Sequence, residues 1–236
     1  MFTHPGFFCV VAERGGRVVG SNCLDERSAI AGIGPITIDP SAQNRGVGRS
    51  LMIAVMDRAA DCKCPGVRLV QAAFHNRSMS LHAKLGFDIR EPLVVMQGPP
   101  IRQVPPGYSV RPALPANLEA CNALCRRLHG HDRSAELSDA IMHGTALVVE
   151  RHGQITAYAS VVGFWGHAVA ESNADLYALL GAADEFAGSG FLLPTRNTEL
   201  FRWCLNHGLR VVEPMTLMTV GLYNEPAGAF LPSITY

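Results

Sequence analysis

The spacing of hydrophobic residues changes abruptly between residues 33 and 61, and this change predicts a strand followed by a helix. Ile33 to Ile38 is a β-branched run typical of a strand, and Asp39-Pro40 ends it because proline has no amide proton for the next ladder bond. After a polar turn, apolar residues recur every four positions, at Val47, Leu51, Val55 and Ala59. This is the period of a helix with one buried face.

The other apolar runs of the first half predict a hairpin, two further strands and a second helix. Phe7 to Ala12 and Arg17 to Leu24 are strand-like, and Gly15-Gly16 between them permits the positive φ angles of a tight turn. A third strand spans Ala29 to Ile38, but Gly34 and Pro35 interrupt it, so we expect a bulge or a splayed edge there. The later elements are strand Val67 to Ala73, helix Asn76 to Leu85 and strand Phe87 to Met96.

A proline-rich linker separates two halves that have a similar order of elements. Pro99-Pro100 and Pro105-Pro106-Gly107 enclose a segment without periodicity. We therefore predict a domain at residues 1–98, a linker at 99–107, a second domain at 108–222 and a C-terminal tail at 223–236. Val11 to Val18 resembles Val148 to Ile155, and the later elements follow in the same order, which indicates an internal duplication.

A glycine-rich turn distinguishes the first copy from the second. Gly46 and Gly48 fall in the first turn of the first helix, where backbone amides have no helical partner and the macrodipole is positive. Without side chains at these positions, an anion can approach the backbone closely. No such glycine pair precedes the helix that begins near Asn173. The sequence thus predicts a single phosphate cradle, in the first copy.

Composition and charge favour a small-molecule partner. The chain has 236 residues, of which 48% are hydrophobic and 17% charged, so it can bury a sizeable core and is not expected to be disordered. The formal net charge is zero, so nothing in the overall charge draws the chain to nucleic acid or to an anionic membrane. No basic N-terminal region or long apolar run is present, which makes secretion and membrane insertion unexpected.

The cysteines are expected to be free thiols in a reducing cytoplasm. There are seven, an odd number, and Cys62-x-Cys64 and Cys121-x-x-x-Cys125 do not match common zinc spacings. We therefore predict a cytoplasmic protein with no metal site and no disulfide framework.

Two motifs in the first copy resemble those of the GNAT superfamily of acetyl-CoA-dependent N-acetyltransferases. Gln43-Asn44-Arg45-Gly46-Val47-Gly48, between a strand and a helix, matches the family's Q/R-x-x-G-x-G/A signature. Asn76-Arg77-Ser78, followed by Gly86-Phe87, resembles the asparagine-to-"GF" helix. The resemblance implies an α/β (α+β) tandem GNAT fold with mixed central sheets flanked by helices. The first copy lacks the family's initial strand and helices, and the second copy is a degenerate form without the cradle.

The same resemblance implies that acetyl-CoA is the cofactor and suggests which residues hold it. The backbone of Ile36, Thr37 and Ile38 would pair with the pantetheine arm as an added strand. Asn76 would also bond this arm, and Arg77 could reach a phosphate. The turn and helix start would hold the pyrophosphate, through Gln43, Asn44, Arg45, Gly46, Val47, Gly48, Arg49 and Ser50.

The catalytic groups are less clearly indicated. The family usually has a tyrosine as general acid four residues before the glycine of "GF", and His82 stands at this position. A histidine can donate a proton near neutral pH, but it can equally be a packing residue. Asp25 and Glu26 precede the central strand and are candidates for a general base, although carboxylates in a turn are more often solvated.

The missing front elements leave the acceptor pocket incomplete. The second domain, the C-terminal tail or another subunit in a homodimer could complete it. We predict transfer of an acetyl group from acetyl-CoA to a primary amine of a small molecule, by direct attack of the amine on the thioester. The alternative is a non-catalytic acyl-CoA-binding module.

Overall fold

Two β-sheets and six α-helices build residues 1–235, the part of the chain that the computed structural model describes. Elements of the first half are β1 (Phe7–Arg14), β2 (Arg17–Asp25), β3 (Ile30–Ile33), β4 (Thr37–Ile38), α1 (Val47–Asp61), β5 (Gly66–Ala72), α2 (Asn76–Lys84) and β6 (Asp88–Gln97). Elements of the second half are β7 (Tyr108–Pro112), α3 (Leu118–His129), α4 (Ser134–Met142), β8 (Leu147–Arg151), β9 (Gln154–Ala159), β10 (Ala168–Ala170), α5 (Asn173–Ala182), β11 (Phe191–Pro194), α6 (Thr198–Asn206), β12 (Arg210–Gly221) and β13 (Ala229–Leu231).

The predicted third strand is split at the interruption that the sequence indicates. Its first part, β3, runs parallel to β5, and this pairing ends at Ile33 and Leu69. Its second part, β4, pairs instead with β2. Gly34 has a φ of +137°, and Pro35 has no amide proton, so the ladder cannot continue through them. The edges of β4 and of the end of β5 therefore diverge.

The two copies exchange their last strands. The first sheet has the order β1-β2-β3-β5-β12-β6-β11, with β4 on β2. Strand β12 of the second copy lies between β5 and β6, and β6 of the first copy lies between β12 and β11. The boundary predicted at residues 99–107 falls between β6 and β7, but the sheet on its N-terminal side is completed by strands from beyond it.

The tail adds a strand to the second sheet, whose order is β13-β10-β9-β8-β7. In the second copy, β10 and β11 correspond to β3 and β5 of the first. These two strands belong to different sheets, and β13 pairs with β10 while packing near β11. The opening that lies beside β4 in the first copy is thus occupied in the second copy by the protein's own tail.

The expectation of seven free thiols is wrong for one pair. Cys9 and Cys23 form a disulfide between β1 and β2, and the other five cysteines are free. The hairpin register sets Cys9 directly opposite Cys23, which brings the two side chains within bonding reach. Counting cysteines along the sequence does not reveal this register.

No helix among residues 1–235 is long and apolar enough to cross a membrane.

Candidate cofactor groove and reaction cavity

The start of α1 exposes several backbone amides. Asn44 and Gly46 have φ angles of +63° and +85°, which turn the chain sharply into the helix. The first helical bond runs from the Ser50 amide to the Gly46 carbonyl oxygen, and no side chain caps the helix. The amides of Val47, Gly48 and Arg49 therefore have no partner within α1 and form the anion cradle that the sequence predicts.

A groove of about 240 Å³, here called the anion groove, lies between this turn and α2. Arg49 lies in its wall, and the guanidinium of Arg77 donates to the Asn44 Oδ1 across it. Both cations therefore face the exposed amides. The lining consists of Ile38, Ala42, Gln43, Asn44, Gly46, Val47, Gly48, Arg49, His75, Arg77, Ser78 and Leu81. This set of groups fits a diphosphate, because it combines fixed amide donors with arginine side chains.

A second cavity, of about 340 Å³, occupies the split between β4 and β5 and is here called the split cavity. One side is formed by the chain at residues 33–36 and the other by residues 69–72, where β5 stays paired with β12 but its pairing with β3 ends. His75 and Ser78 line both the split cavity and the anion groove, so the two spaces adjoin. The remaining lining residues are Met52, His82, Phe164 and Ile234.

His82, at the position of the family's general acid, lies in the wall of the split cavity. Its side chain is buried beside Phe87, and its Nδ1 has no hydrogen-bond partner among the described residues. Burial lowers the pKa of His82 to about 4, because the charged form loses its hydration. The imidazole is therefore neutral at pH 7. In this state it can offer a hydrogen bond to a bound group, but it is not the imidazolium acid that the sequence suggests.

Ser78 is a second proton-bearing group at the junction of the groove and the cavity. The Ser78 hydroxyl lies 2.9 Å from the His75 Nδ1. The His75 ring can thus accept the hydroxyl proton or donate to the oxygen, depending on its tautomer.

Gln71 is a cavity residue that sequence reasoning missed. It lies on β5 in the wall of the split cavity and is only 8% exposed. Neither its Oε1 nor its Nε2 has a hydrogen-bond partner among residues 1–235. A buried amide without partners is costly, so its donor and acceptor are available to a bound molecule. The signal in the sequence is a polar residue in a buried strand that has only one other polar side chain, Arg68.

Asp25 and Glu26, the predicted general bases, do not reach the split cavity. Asp25 accepts hydrogen bonds from the Arg27 guanidinium at 2.9 and 2.6 Å, and Glu26 accepts from Arg58 at 2.6 and 3.0 Å. The bond from Arg58 also lowers the pKa of Glu26. The structure thus places both carboxylates in ion pairs, and neither of them lines the split cavity.

Four of the predicted cofactor residues have side chains outside both spaces. Thr37 bonds to Ser21 at 2.8 Å on the pairing side of β4, and Arg45, Ser50 and Asn76 are exposed. None of the four is among the lining residues of the groove or the cavity. Their backbone atoms remain near the site, since their neighbours in the chain line it.

The far wall of the split cavity comes from the second copy and the tail. Phe164 follows β9, and Ile234 belongs to the tail; the Ile234 amide donates to the Phe164 carbonyl oxygen at 3.0 Å. Both side chains pack with Val70 and Ala72 of β5 in one apolar cluster. Residues from three separate parts of the chain therefore close the cavity.

A comparison with known families supports the interpretation of this groove. Residues 1–87 match the model of the acetyltransferase (GNAT) family. These residues form a GNAT acetyltransferase domain. The match spans the cradle, α2 and the Gly86-Phe87 pair, the features that carry the resemblance in the sequence. No protein with a curated description is detectably similar to the chain.

Solved structures extend the GNAT fold over both copies. A protein from Pyrococcus horikoshii, provisionally classed as an acetyltransferase, has a TM-score of 0.75 at 18% identity, over 97% of this chain and 76% of its own. A GCN5-related N-acetyltransferase from Sphaerobacter thermophilus has a TM-score of 0.57 at 14% identity, over 97% and 82%. A tandem GNAT protein from the clavulanic acid biosynthesis pathway has a TM-score of 0.53 at 15% identity, over 92% and 84%. At these identities the likeness establishes the tandem GNAT fold.

The second copy also has a cavity beside the start of α5, of about 360 Å³, but tail residues 227–230 line it and it has no glycine turn like that of the first copy. Helix α5 begins after Ser172 in extended conformation, without the left-handed glycine of the first copy. In the second copy, β13 pairs with β10 and so occupies the place that corresponds to the opening between β4 and β5 of the first copy. Residues 1–87 match an acetyltransferase family, and the groove at α1 within them is where the residues suit an acyl-CoA.

Proposed function

We propose that this protein is an N-acetyltransferase that moves an acetyl group from acetyl-CoA to the primary amine of a small molecule. The observation that carries the proposal is the continuity of the anion groove with the split cavity through His75 and Ser78. One end offers amides and arginines for phosphates, and the other end is a buried space beside an unpaired strand edge. Bound acetyl-CoA would supply the activated thioester.

The residues of this chain have distinct tasks in that reaction. Arg49, Arg77 and the amides of Val47 to Arg49 hold the diphosphate. The unpaired backbone edge at residues 36–38 bonds an extended arm in the manner of an added strand. A backbone amide of this edge is suited to stabilise the oxyanion that forms when the amine attacks directly.

The proton that the leaving sulphur requires has two sources in the wall. The Ser78 hydroxyl can pass a proton while His75 restores it, and the neutral His82 ring offers a buried hydrogen bond. The ion pairs of Asp25 and Glu26 make them unsuitable as bases, so we propose that the amine enters uncharged or loses its proton to water.

Thiol release in the presence of a panel of amines, combined with calorimetric titration of acetyl-CoA, tests the proposal. We expect acetyl-CoA to bind and at least one amine to release the thiol. The rival function, a non-catalytic acyl-CoA-binding module, is favoured by the lack of a cationic acid and of a free carboxylate in the split cavity. Acetyl-CoA binding without turnover on any amine would support this rival.

The wall of the split cavity bears on whether a second subunit is needed, and the disulfide bears on the location of the protein. Phe164 and Ile234 of the same chain form the far wall, which supports an acceptor pocket completed within one protomer rather than in a homodimer. A cytoplasmic location remains a prediction, and the Cys9–Cys23 disulfide counts against it.

A further inference from the structure

The split cavity contains no residue with a permanent charge. Its fourteen lining residues include no aspartate, glutamate, lysine or arginine, and its polar groups are Gln71, His75, Ser78 and His82. The cations of the site, Arg49 and Arg77, lie in the anion groove. The carboxylates nearest to residues 33–36 in the chain, Asp39, Asp25 and Glu26, are each paired with an arginine and do not line the cavity. Among residues 1–235, a positively charged ligand would therefore find no counter-ion in the lining of this cavity.

The far wall of the split cavity is an apolar surface formed by Phe164 and Ile234. Side chains alternate between the two faces of β5, so Val67 and Leu69 pack with Met52 while Val70 and Ala72 pack with Phe164 and Ile234. The backbone bond between Ile234 and Phe164 fixes the two wall segments to each other. An acceptor that enters from this side contacts an aromatic ring and aliphatic side chains.

From these two observations we infer that the acceptor is a primary amine of low basicity carried on an apolar body, with an aromatic amine as the best match. This inference rests on the proposed function and names its substrate class. Moving an ammonium group from water into an uncharged cavity costs several kcal/mol, and no carboxylate here offsets this cost. An aromatic amine is uncharged at pH 7, because its lone pair is delocalised into the ring.

The transfer reaction itself also requires an uncharged amine. The nitrogen lone pair attacks the thioester carbon and the carbon–sulphur bond breaks, so the nucleophile has to be the neutral amine, and the proton it loses goes to water or to the leaving thiolate. A basic alkylamine, like the lysine side chain with a pKa near 10.4, is almost wholly protonated at pH 7. A cavity without a carboxylate to hold an ammonium group selects an amine that is already neutral. The Phe164 ring also favours an aromatic body through offset stacking.

Steady-state thiol release by the full chain tests the inference with four amines: p-anisidine, 2-phenylethylamine, lysine and spermidine. We expect kcat/KM for p-anisidine to exceed that for lysine and spermidine by about tenfold or more at pH 7, and to stay level from pH 6.5 to 8.5. For 2-phenylethylamine, kcat/KM should rise about tenfold per pH unit, as its neutral fraction grows. Preference for lysine or spermidine would overturn the inference while leaving the acetyltransferase function intact.

A charged variant of the wall sharpens the test. Ile234→Asp places a carboxylate in the cavity and should raise the ratio of spermidine to p-anisidine turnover by about tenfold, whereas Ile234→Asn should not. The Kd of acetyl-CoA, measured by calorimetry on both variants, reports whether the fold and the groove persist. An unchanged ratio in a variant that still binds acetyl-CoA would contradict the placement of the acceptor. Turnover of none of the four amines by the wild-type protein would overturn the proposed function, and the inference with it.

Discussion

Gly48 lies directly beneath Ile38, where the first turn of α1 packs on β4. A Cβ atom added to Gly48 would lie 2.8 Å from the Ile38 Cδ1, closer than real Cβ contacts allow. The glycine thus leaves room for the end of the Ile38 side chain, and a larger residue would push that side chain aside in the wall of the anion groove. Gly46 has a different constraint: a Cβ there meets no atom within 4 Å, but its φ of +85° strains any other residue.

Substitution of either glycine should weaken acetyl-CoA binding. Gly48→Val pushes Ile38 and the cradle apart, and Gly46→Ala favours a different turn, so we expect the Kd to rise by about tenfold or more in each. Gly15→Ala is the matched control, since Gly15 also has a positive φ and open space around it, in the remote β1–β2 turn. Calorimetric titration measures the Kd. Equal affinity in all three variants would contradict the position of the cradle.

Arg77 should contribute to phosphate binding through its charge and its fork of donors. We expect Arg77→Ala to weaken acetyl-CoA binding by about tenfold and to reduce the dependence of Kd on salt concentration. Lys84→Ala, an exposed cation at the end of the same helix, is the control and should leave both quantities unchanged. Titrations at two salt concentrations measure the effect, and a salt dependence equal to that of the wild-type protein would exclude the role.

His82 should make the protein less stable in mild acid. Its pKa is about 4 in the folded protein and about 6.5 when unfolded, so between these values the unfolded chain binds the extra proton. Stability from His82 is therefore complete above pH 6.5 and declines as the pH falls towards 4, by on the order of 3 kcal/mol. Urea unfolding of wild-type and His82→Leu proteins at several pH values isolates this effect, because His129, His131 and His167 are common to both.

The exposed His152 supplies the control for that experiment. His152→Asn keeps a side chain that tolerates the positive φ of this position and should unfold with the same pH dependence as the wild-type protein. If His82→Leu retains the full wild-type dependence, the pKa of His82 is not lowered in the folded state.

Replacing Gln71 with an apolar residue should make the protein more stable but less active. Replacing its unpartnered buried amide with leucine removes an uncompensated polar group, so we expect Gln71→Leu to raise the free energy of unfolding by about 1 kcal/mol. The same change should lower kcat/KM for the acetylated amine by about tenfold, because a hydrogen bond to a bound molecule is lost. Urea unfolding and thiol release measure the two effects. A stabilised variant with full activity would show that Gln71 does not bind the substrate or the cofactor.

Glu26 should be dispensable for chemistry. Its carboxylate bonds Arg58, so Glu26→Gln breaks one partly exposed ion pair and should leave kcat within about twofold of the wild-type value. Thiol release with the best amine measures this. A hundredfold decrease in kcat with unchanged acetyl-CoA binding would support Glu26 as the general base.

The sequence predicted the local structure best at residues whose backbone properties are special, such as glycine and proline. The Gly34-Pro35 pair cannot continue a ladder, and the sheet splits there. Gly46 permits the left-handed turn into α1, and the helix bounds follow from the period of its buried residues. The disulfide was missed because it depends on the register between Cys9 and Cys23, which is set by pairing across the hairpin.

The sequence by itself determined the cradle, because an anion site at a helix start is built from consecutive residues with local backbone needs. Only the tertiary structure decided what surrounds it. The exchange of β6 and β12 between the copies, the insertion of β13 into the second opening, and the meeting of Gln71, Phe164 and Ile234 all join residues far apart in the chain. These contacts follow from the packing of whole strands, and no local pattern encodes them.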